Sequence, residues 1–292
     1  MKSLFIALIL IPALHAADTY VVQSNVVYGM YSGAALLLDV YQPARPNGYG
    51  IVFISGSGWS APLAYNAPEL KSNGQAKQYA PPLANAGYTV FTLNHRALPR
   101  FRYPGPVEDV QRAVRFIRHH ATKFGIDAAR IGAMGGSSGG HLVSMLGTLD
   151  GAGKPSDPDP VERESAKVQC VVVRAAPIDF LTSDTGRFIL GLARPAKGDQ
   201  NSAEYRLHLE ASPVTHITAD DPPFLLMHGD KDESVPFSQS EEMEAKLKAA
   251  GVTVKLLRIS GAGHGSTFPG AVNPPDYMGE MVRWFDTYLK KR

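Results

Sequence analysis

A single cysteine, Cys170, occurs in 292 residues, so no internal disulfide can form and a small disulfide-stapled fold is excluded. Charge of one sign is scarce as a pattern: 29 Lys and Arg against 27 Asp and Glu leave +2, and the longest like-charge block is Lys290, Lys291 and Arg292. A polyanion such as nucleic acid is therefore not an expected partner. No apolar run approaches the roughly 20 residues of a membrane helix, and the run at residues 4–14 is well short of it. Internal repeats, low-complexity tracts and interdomain linkers are likewise missing, which leaves the length to one large α/β domain.

What is present begins with an address. Lys2, the apolar residues 4–14, then Ala16 and Ala17 before Asp18 form the pattern of a secretory signal, residues 1–17, and predict a secreted or periplasmic protein. There is no cysteine beside this segment to carry a lipid anchor, so no membrane attachment is expected. Residues 18–292 then hold all 28 Gly and nearly all of 22 Pro, and the chain as a whole is 44% hydrophobic, a balance suited to a large core with many ordered turns.

Short apolar, β-rich runs alternate with helix-period stretches, which predicts a mostly parallel sheet with helices on both faces. The strands are expected at residues 51–54, 88–93, 131–134, 168–173, 224–227 and 252–259, with 21–28 and 35–41 as an antiparallel edge. Cys170 falls inside one of these runs and is read as a buried strand residue. Val107, Val110, Val114 and Ile117 repeat at helical spacing behind Pro104 and Pro106, and Gly125 stops that segment. Further helices are expected at 238–250 and 276–289. Residues 150–165 and 181–209 read as insertions, the second as a small cap.

The chemistry concentrates in three turns. Ile131-Gly-Ala-Met-Gly-Gly-Ser-Ser-Gly-Gly-His141 is a strand entering a glycine-rich turn that opens a helix, and it contains Gly-x-Ser-x-Gly. In that setting the serine hydroxyl stands exposed on a strained turn. Two registers fit, with Ser137 or Ser138 at the centre. Residues 224–236 are a strand breaking into an acidic turn with Asp230 and Asp232, and residues 259–265 a strand breaking into a glycine turn with His264. A serine hydroxyl is a poor nucleophile until a base takes its proton, and a histidine needs a carboxylate to hold the right tautomer. All three parts lie just past predicted strand ends, where open α/β sheets collect functional groups.

Residues 51–59 (Ile-Val-Phe-Ile-Ser-Gly-Ser-Gly-Trp), 135–141, 228–232 and 261–265 together resemble the motif series of α/β-hydrolase esterases near the acetyl-esterase/lipase and bacterial feruloyl-esterase (BD-FAE-like) group, related to the prolyl-oligopeptidase catalytic domain. The resemblance runs over residues 20–290 and implies an α/β-hydrolase fold and a serine carboxylic ester hydrolase that needs no cofactor or metal. It places the nucleophile on Ser137, because His141 fixes the register, the acid on Asp232 with Asp230 as competitor, and the base on His264. The oxyanion hole falls to the backbone N–H of Ser138 and the loop 56–58, chiefly Ser57 and Gly58. That loop departs from the usual His-Gly-Gly-Gly-Trp in carrying Ser55 and Ser57, which puts the acyl pocket in question. The implied substrates are short-chain or aromatic acyl esters, among them acetyl or feruloyl groups on plant polysaccharide; a serine peptidase and an interfacial lipase are the alternatives.

Other residues invite separate readings. Trp59 and Tyr65 lie on a long loop, residues 59–78, and are open to packing or to substrate contact. His141 is read as bracing the turn, Arg96 as an ion-pair partner, Glu108 and Asp109 as helix-start complements or salt-bridge partners, and His228 with Asp230 as turn residues instead of metal ligands.

Overall fold

The computed structural model describes residues 19–196 and 199–290, so the expected signal segment, residues 1–17, lies outside the described residues. In chain order the first half comprises β1 (Tyr20–Tyr31), β2 (Ala34–Pro43), β3 (Gly50–Ile54), α1 (Gly74–Asn85), β4 (Thr89–Leu93), α2 (Gly105–His119), α3 (Ala121–Phe124), β5 (Ile131–Gly136) and α4 (Ser138–Thr148). The second half adds β6 (Val171–Arg174), α5 (Gly186–Leu190), α6 (Ala203–Glu210), β7 (Phe224–Gly229), α7 (Ser238–Ala249), β8 (Val254–Ile259) and α8 (Tyr277–Leu289).

The strands form one sheet in the order β1-β2-β4-β3-β5-β6-β7-β8. The first two pairings are antiparallel and all others parallel, as the edge and core patterns predict. Strands β3 to β7 are buried at every residue, the expected state of parallel strands covered on both faces. On one face Val110, Val114 and Ile117 of α2 and Leu142 and Leu146 of α4 fill the core; on the other, Tyr79 and Leu83 of α1 and Met281 and Phe285 of α8 belong to a second buried cluster. Because the parallel strands share a direction, the segments after β3, β5, β6, β7 and β8 all emerge at one edge.

Three local readings change. β6 starts at Val171, with the buried Cys170 just ahead of it, its carbonyl accepting from Ala133 N at 3.0 Å. Residues 150–165 contain a short 3₁₀ turn at Pro160–Arg163, and the described part of 181–209 contains α5 and most of α6. The loop 59–78 is a loop only as far as Asn73, which caps α1 by accepting from Gln75 N and Ala76 N. Pro81 and Pro82 mimic a breaker in the sequence, but the apolar spacing Ala76, Tyr79, Leu83 holds the helix on the sheet.

Trp59 turns inward and is 2% exposed, so of the two readings left open for it, packing holds and substrate contact does not. Its Nε1–H donates to His141 Nδ1 at 3.2 Å, and His141 Nε2–H donates to Ala211 O at 2.8 Å. Both ring nitrogens are thus used in the neutral tautomer, with Phe180 stacked on the ring 5.0 Å away. His141 therefore does brace the turn, joining the β3 loop, α4 and the end of α6. Burial pushes its imidazole down to about 4, against the opposing hydrogen bond to Ala211. The folded state resists protonation that the unfolded chain accepts near pH 6.5, so this contribution is complete above pH 6.5 and is lost as the pH falls toward 4. Urea unfolding at pH 7 and pH 4.5 should show roughly 2–3 kcal/mol of such loss. Buried His95 is displaced in the same direction by burial, so the His141→Gln variant isolates the His141 share. It should be less stable than wild type at pH 7 yet show a flatter dependence on pH, and an unchanged slope would refute the assignment.

Candidate active site

Ser137 joins β5 to α4 with φ 54° and ψ −125°, a conformation side chains rarely adopt. The reason is crowding. A Cβ on Gly139 would overlap the Ile54 carbonyl, and one on Gly135 would overlap the Gly139 carbonyl. Strand and helix therefore cross with only glycine between them, and the serine between them is turned outward. Its N–H donates to Arg174 O at 2.8 Å and its carbonyl accepts from His141 N at 3.0 Å, which fixes the turn from both sides.

The structure brings together Ser137, His264 and Asp232. Ser137 Oγ lies 3.0 Å from His264 Nε2, and His264 Nδ1 lies 2.6 Å from Asp232 Oδ2. With Nδ1–H donating to the carboxylate, Nε2 is left to accept the serine proton. Asp232 has a fully buried side chain, and its Oδ1 accepts from Ser234 N and Val235 N at 2.9 and 2.8 Å. Burial raises its affinity for a proton, but hydrogen bonds from His228, His264 and Val235 outweigh it and hold the carboxyl well below the usual range. It is a fixed anion behind the imidazole. Asp230, the competitor, points away, pairing with Arg258 Nε at 2.9 Å and accepting from Gly261 N at 2.8 Å.

The expected amide donors divide. Ser138 opens α4, where helix geometry leaves its N–H without an intrahelical acceptor and the dipole favours negative charge. Gly58 N–H has no partner among the described residues. Ser57 N–H, however, donates to Ser138 Oγ at 2.9 Å, a correction to its reading as a free donor. That bond has to be exchanged before the Ser57 amide can reach a substrate oxygen. Gly56 is clamped by α1, its N–H donating to Gln75 Oε1 at 3.0 Å and its carbonyl accepting from Asn73 Nδ2 at 3.3 Å. Lys71 in turn ties this segment to β2 through Asp39 at 2.9 Å, both side chains buried.

Tyr65 is fully exposed on the loop after Trp59. A cleft of about 410 Å³ borders Ser57 and is lined by Pro62, Pro68, Leu70, Leu98 and Pro99. Arg96 pairs with Asp109 and Glu108, each at 2.8 Å, as its ion-pair reading required. His228 is buried and shared between Ser240 Oγ and Val235 O, a turn role. Sequence reasoning missed Asn73, Gln75, Gln78 and Tyr79, which α1 brings to the site. The N-cap Asn73 ahead of the apolar spacing was the available signal.

A fluorophosphonate probe should label Ser137: Ser137→Ala abolishes labelling, Ser138→Ala retains it. Asp232→Asn should slow labelling by up to roughly 10⁴-fold by losing the imidazole tautomer, and Asp230→Asn by far less. The reverse rankings would move the assignments to Ser138 and Asp230.

The BD-FAE family profile matches residues 38–247. The probable carboxylic ester hydrolase LipM of Mycobacterium tuberculosis is 31% identical over 240 residues, which is 78% of this chain and 52% of that protein. An acetylxylan esterase of Xylanibacter ruminicola is 32% identical over 109 residues, 37% of this chain and 21% of the other. The chain spans about half the length of the curated relatives it matches. Among solved structures, a truncated form of a carbohydrate esterase from gut microbiota is similar with a TM-score of 0.76 at 26% identity, covering 94% of this chain and 99% of that one. The sheet and its helices are those of an α/β-hydrolase, and the chain belongs to the BD-FAE family.

Proposed function

We propose that this protein hydrolyses carboxylic esters through an acyl-enzyme on Ser137. The observation that carries the reading is the continuous chain from Ser137 Oγ through His264 to Asp232, at 3.0 and 2.6 Å. Ser137 attacks the ester carbonyl as His264 Nε2 takes its proton, and the imidazolium is stabilised by the buried Asp232 carboxylate. Charge developing on the carbonyl oxygen meets the Ser138 N–H at the start of α4; each such preorganised donor is typically worth about 3 kcal/mol. His264 then protonates the leaving alcohol, water enters, and the same steps in reverse release the acid.

The substrates are short-chain or aromatic acyl esters, with acetyl or feruloyl groups on plant polysaccharide as the natural candidates. Support comes from the relatives named acetylxylan esterase and carbohydrate esterase and from the exposed catalytic edge, where His264 keeps 23% of its side chain open. The proline- and leucine-lined cleft beside Ser57 offers flat apolar faces for a small acyl chain or ring. Hydrolysis of p-nitrophenyl acetate and butyrate should be fast, fall steeply beyond about six to eight carbons, and be accompanied by release of acetate or ferulate from decorated xylan. Rates rising with chain length, or cleavage of proline-containing peptides with none of esters, would replace this reading with a lipase or a peptidase.

We further propose export. Residues 1–17 carry the charged start, apolar core and small-residue end of a secretory signal. Cleavage should remove the leader near Ala16 or Ala17, and an intact mass of exported protein that retained Met1 would refute it.

A further inference from the structure

Arg174 closes β6 with its side chain 1% exposed, and among the described residues no carboxylate forms an ion pair with it. One Nη–H donates to Gly265 O at 2.9 Å, while Nε and the other Nη have no partner. The guanidinium lies against Gly136, where a Cβ would come within 2.6 Å of Nη2 and 2.7 Å of Nε, and Phe268 sits 6.0 Å from Cζ. It is therefore wedged between the residue before Ser137 and the residue after His264. A buried cation without an anion against it is costly, and so is a buried anion without a cation. Asp232 is the matching case: its side chain is fully buried and its partners are two imidazoles and two backbone amides.

We propose that Arg174 is a positioning residue for the reaction, holding His264 in place through the Gly265 carbonyl and supplying the cation that balances Asp232 across the His264 loop. This rests on the ester-hydrolase reading of the same site. Burial lowers the guanidinium from its ordinary value while Tyr79 and then Asp232 oppose that, which places each of them within electrostatic reach of the arginine. An arginine stays protonated under these conditions. The other groups facing the loop bring no comparable charge. Asp232 and His228 stand on the Nδ1 side; Tyr79 of α1 donates to Ser266 O at 2.6 Å, and Tyr277 of α8 packs edge-on against Phe268. Asp230 is matched by Arg258 at the loop's start, and Lys231 is exposed.

The consequence is a pH effect with a definite sign. A positive charge near His264 disfavours imidazolium, so removing it lets the base protonate at higher pH. The acid limb of kcat/KM should move up by roughly one pH unit in Arg174→Met and Arg174→Gln, the Gln keeping a donor for Gly265. Arg174→Lys should keep the limb near its wild-type position while lowering kcat, since the fork is lost and the charge is not. Gln75→Glu tests the charge without touching the arginine, because Gln75 Oε1 lies beside the same guanidinium edge at Gly136. It should also raise the limb, and it carries the test should the neutral variants not fold. Tyr79→Phe removes a neighbouring clamp and should lower kcat with no movement of the limb. The limb is read twice, from p-nitrophenyl acetate hydrolysis and from fluorophosphonate labelling of Ser137. Labelling without hydrolysis in wild type would sink the esterase reading alone. Neutral variants and Gln75→Glu with an unmoved limb, or a Lys variant shifted as far as Gln, would overturn the role of Arg174.

Discussion

The crossing of β5 and α4 is the constraint on which the site depends. Backbone meets backbone at Gly135 and Gly139, close enough that neither position tolerates a Cβ. The strained Ser137 conformation follows from that contact, and so does the position of the Ser138 amide, because a helix that starts so near the strand end must present its first N–H beside the preceding side chain. The Ile54 carbonyl that crowds Gly139 belongs to β3, so the same contact locates the loop beginning at Ser55 relative to the nucleophile. Ser137 and the amides beside it are thereby set by one packing event instead of by separate interactions.

Around that crossing, the remaining groups are held by hydrogen bonds that converge from distant parts of the chain. Helix α1 and its cap hold Gly56 with Asn73 and Gln75 and hold Ser266 with Gln78 and Tyr79, so a single helix restrains both the loop after β3 and the His264 loop. Asp232 organises its own turn through Ser234 and Val235 while facing His264, which leaves the carboxylate little freedom to rotate.

The sheet was legible because β3 to β7 are buried on both faces and read as short, mostly apolar and β-prone runs. The serine, aspartate and histidine were legible because each follows such a run at a glycine-rich or acidic turn. Helix α1 was hidden by Gly74, Pro81 and Pro82, residues that usually punctuate loops but here sit in a helix stabilised by its buried face. The side taken by Trp59 could not be read, because it depends on a positive φ of 56° at that residue and on an acceptor, His141, 82 positions away. Arg174 was equally hidden. A charged residue at the end of a valine run reads as a strand leaving the core, whereas its aliphatic stem and planar head are enclosed by Gly136, Phe268 and the histidine loop.

The hydrogen bond from His141 to Ala211 has a consequence for kinetics on aggregated substrates. It anchors the end of α6 to the helix that carries the site, while Tyr103 N–H and Arg102 hold the carbonyls of Ile189 and Phe188 in α5. A segment tied at both short helices cannot swing aside without breaking several bonds, one of them fully enclosed, so a displaced form would be sparsely populated. Under the proposed ester hydrolysis, such a restraint would give ordinary saturation on dissolved ester, with no lag and no abrupt acceleration when the substrate passes its solubility limit and forms droplets.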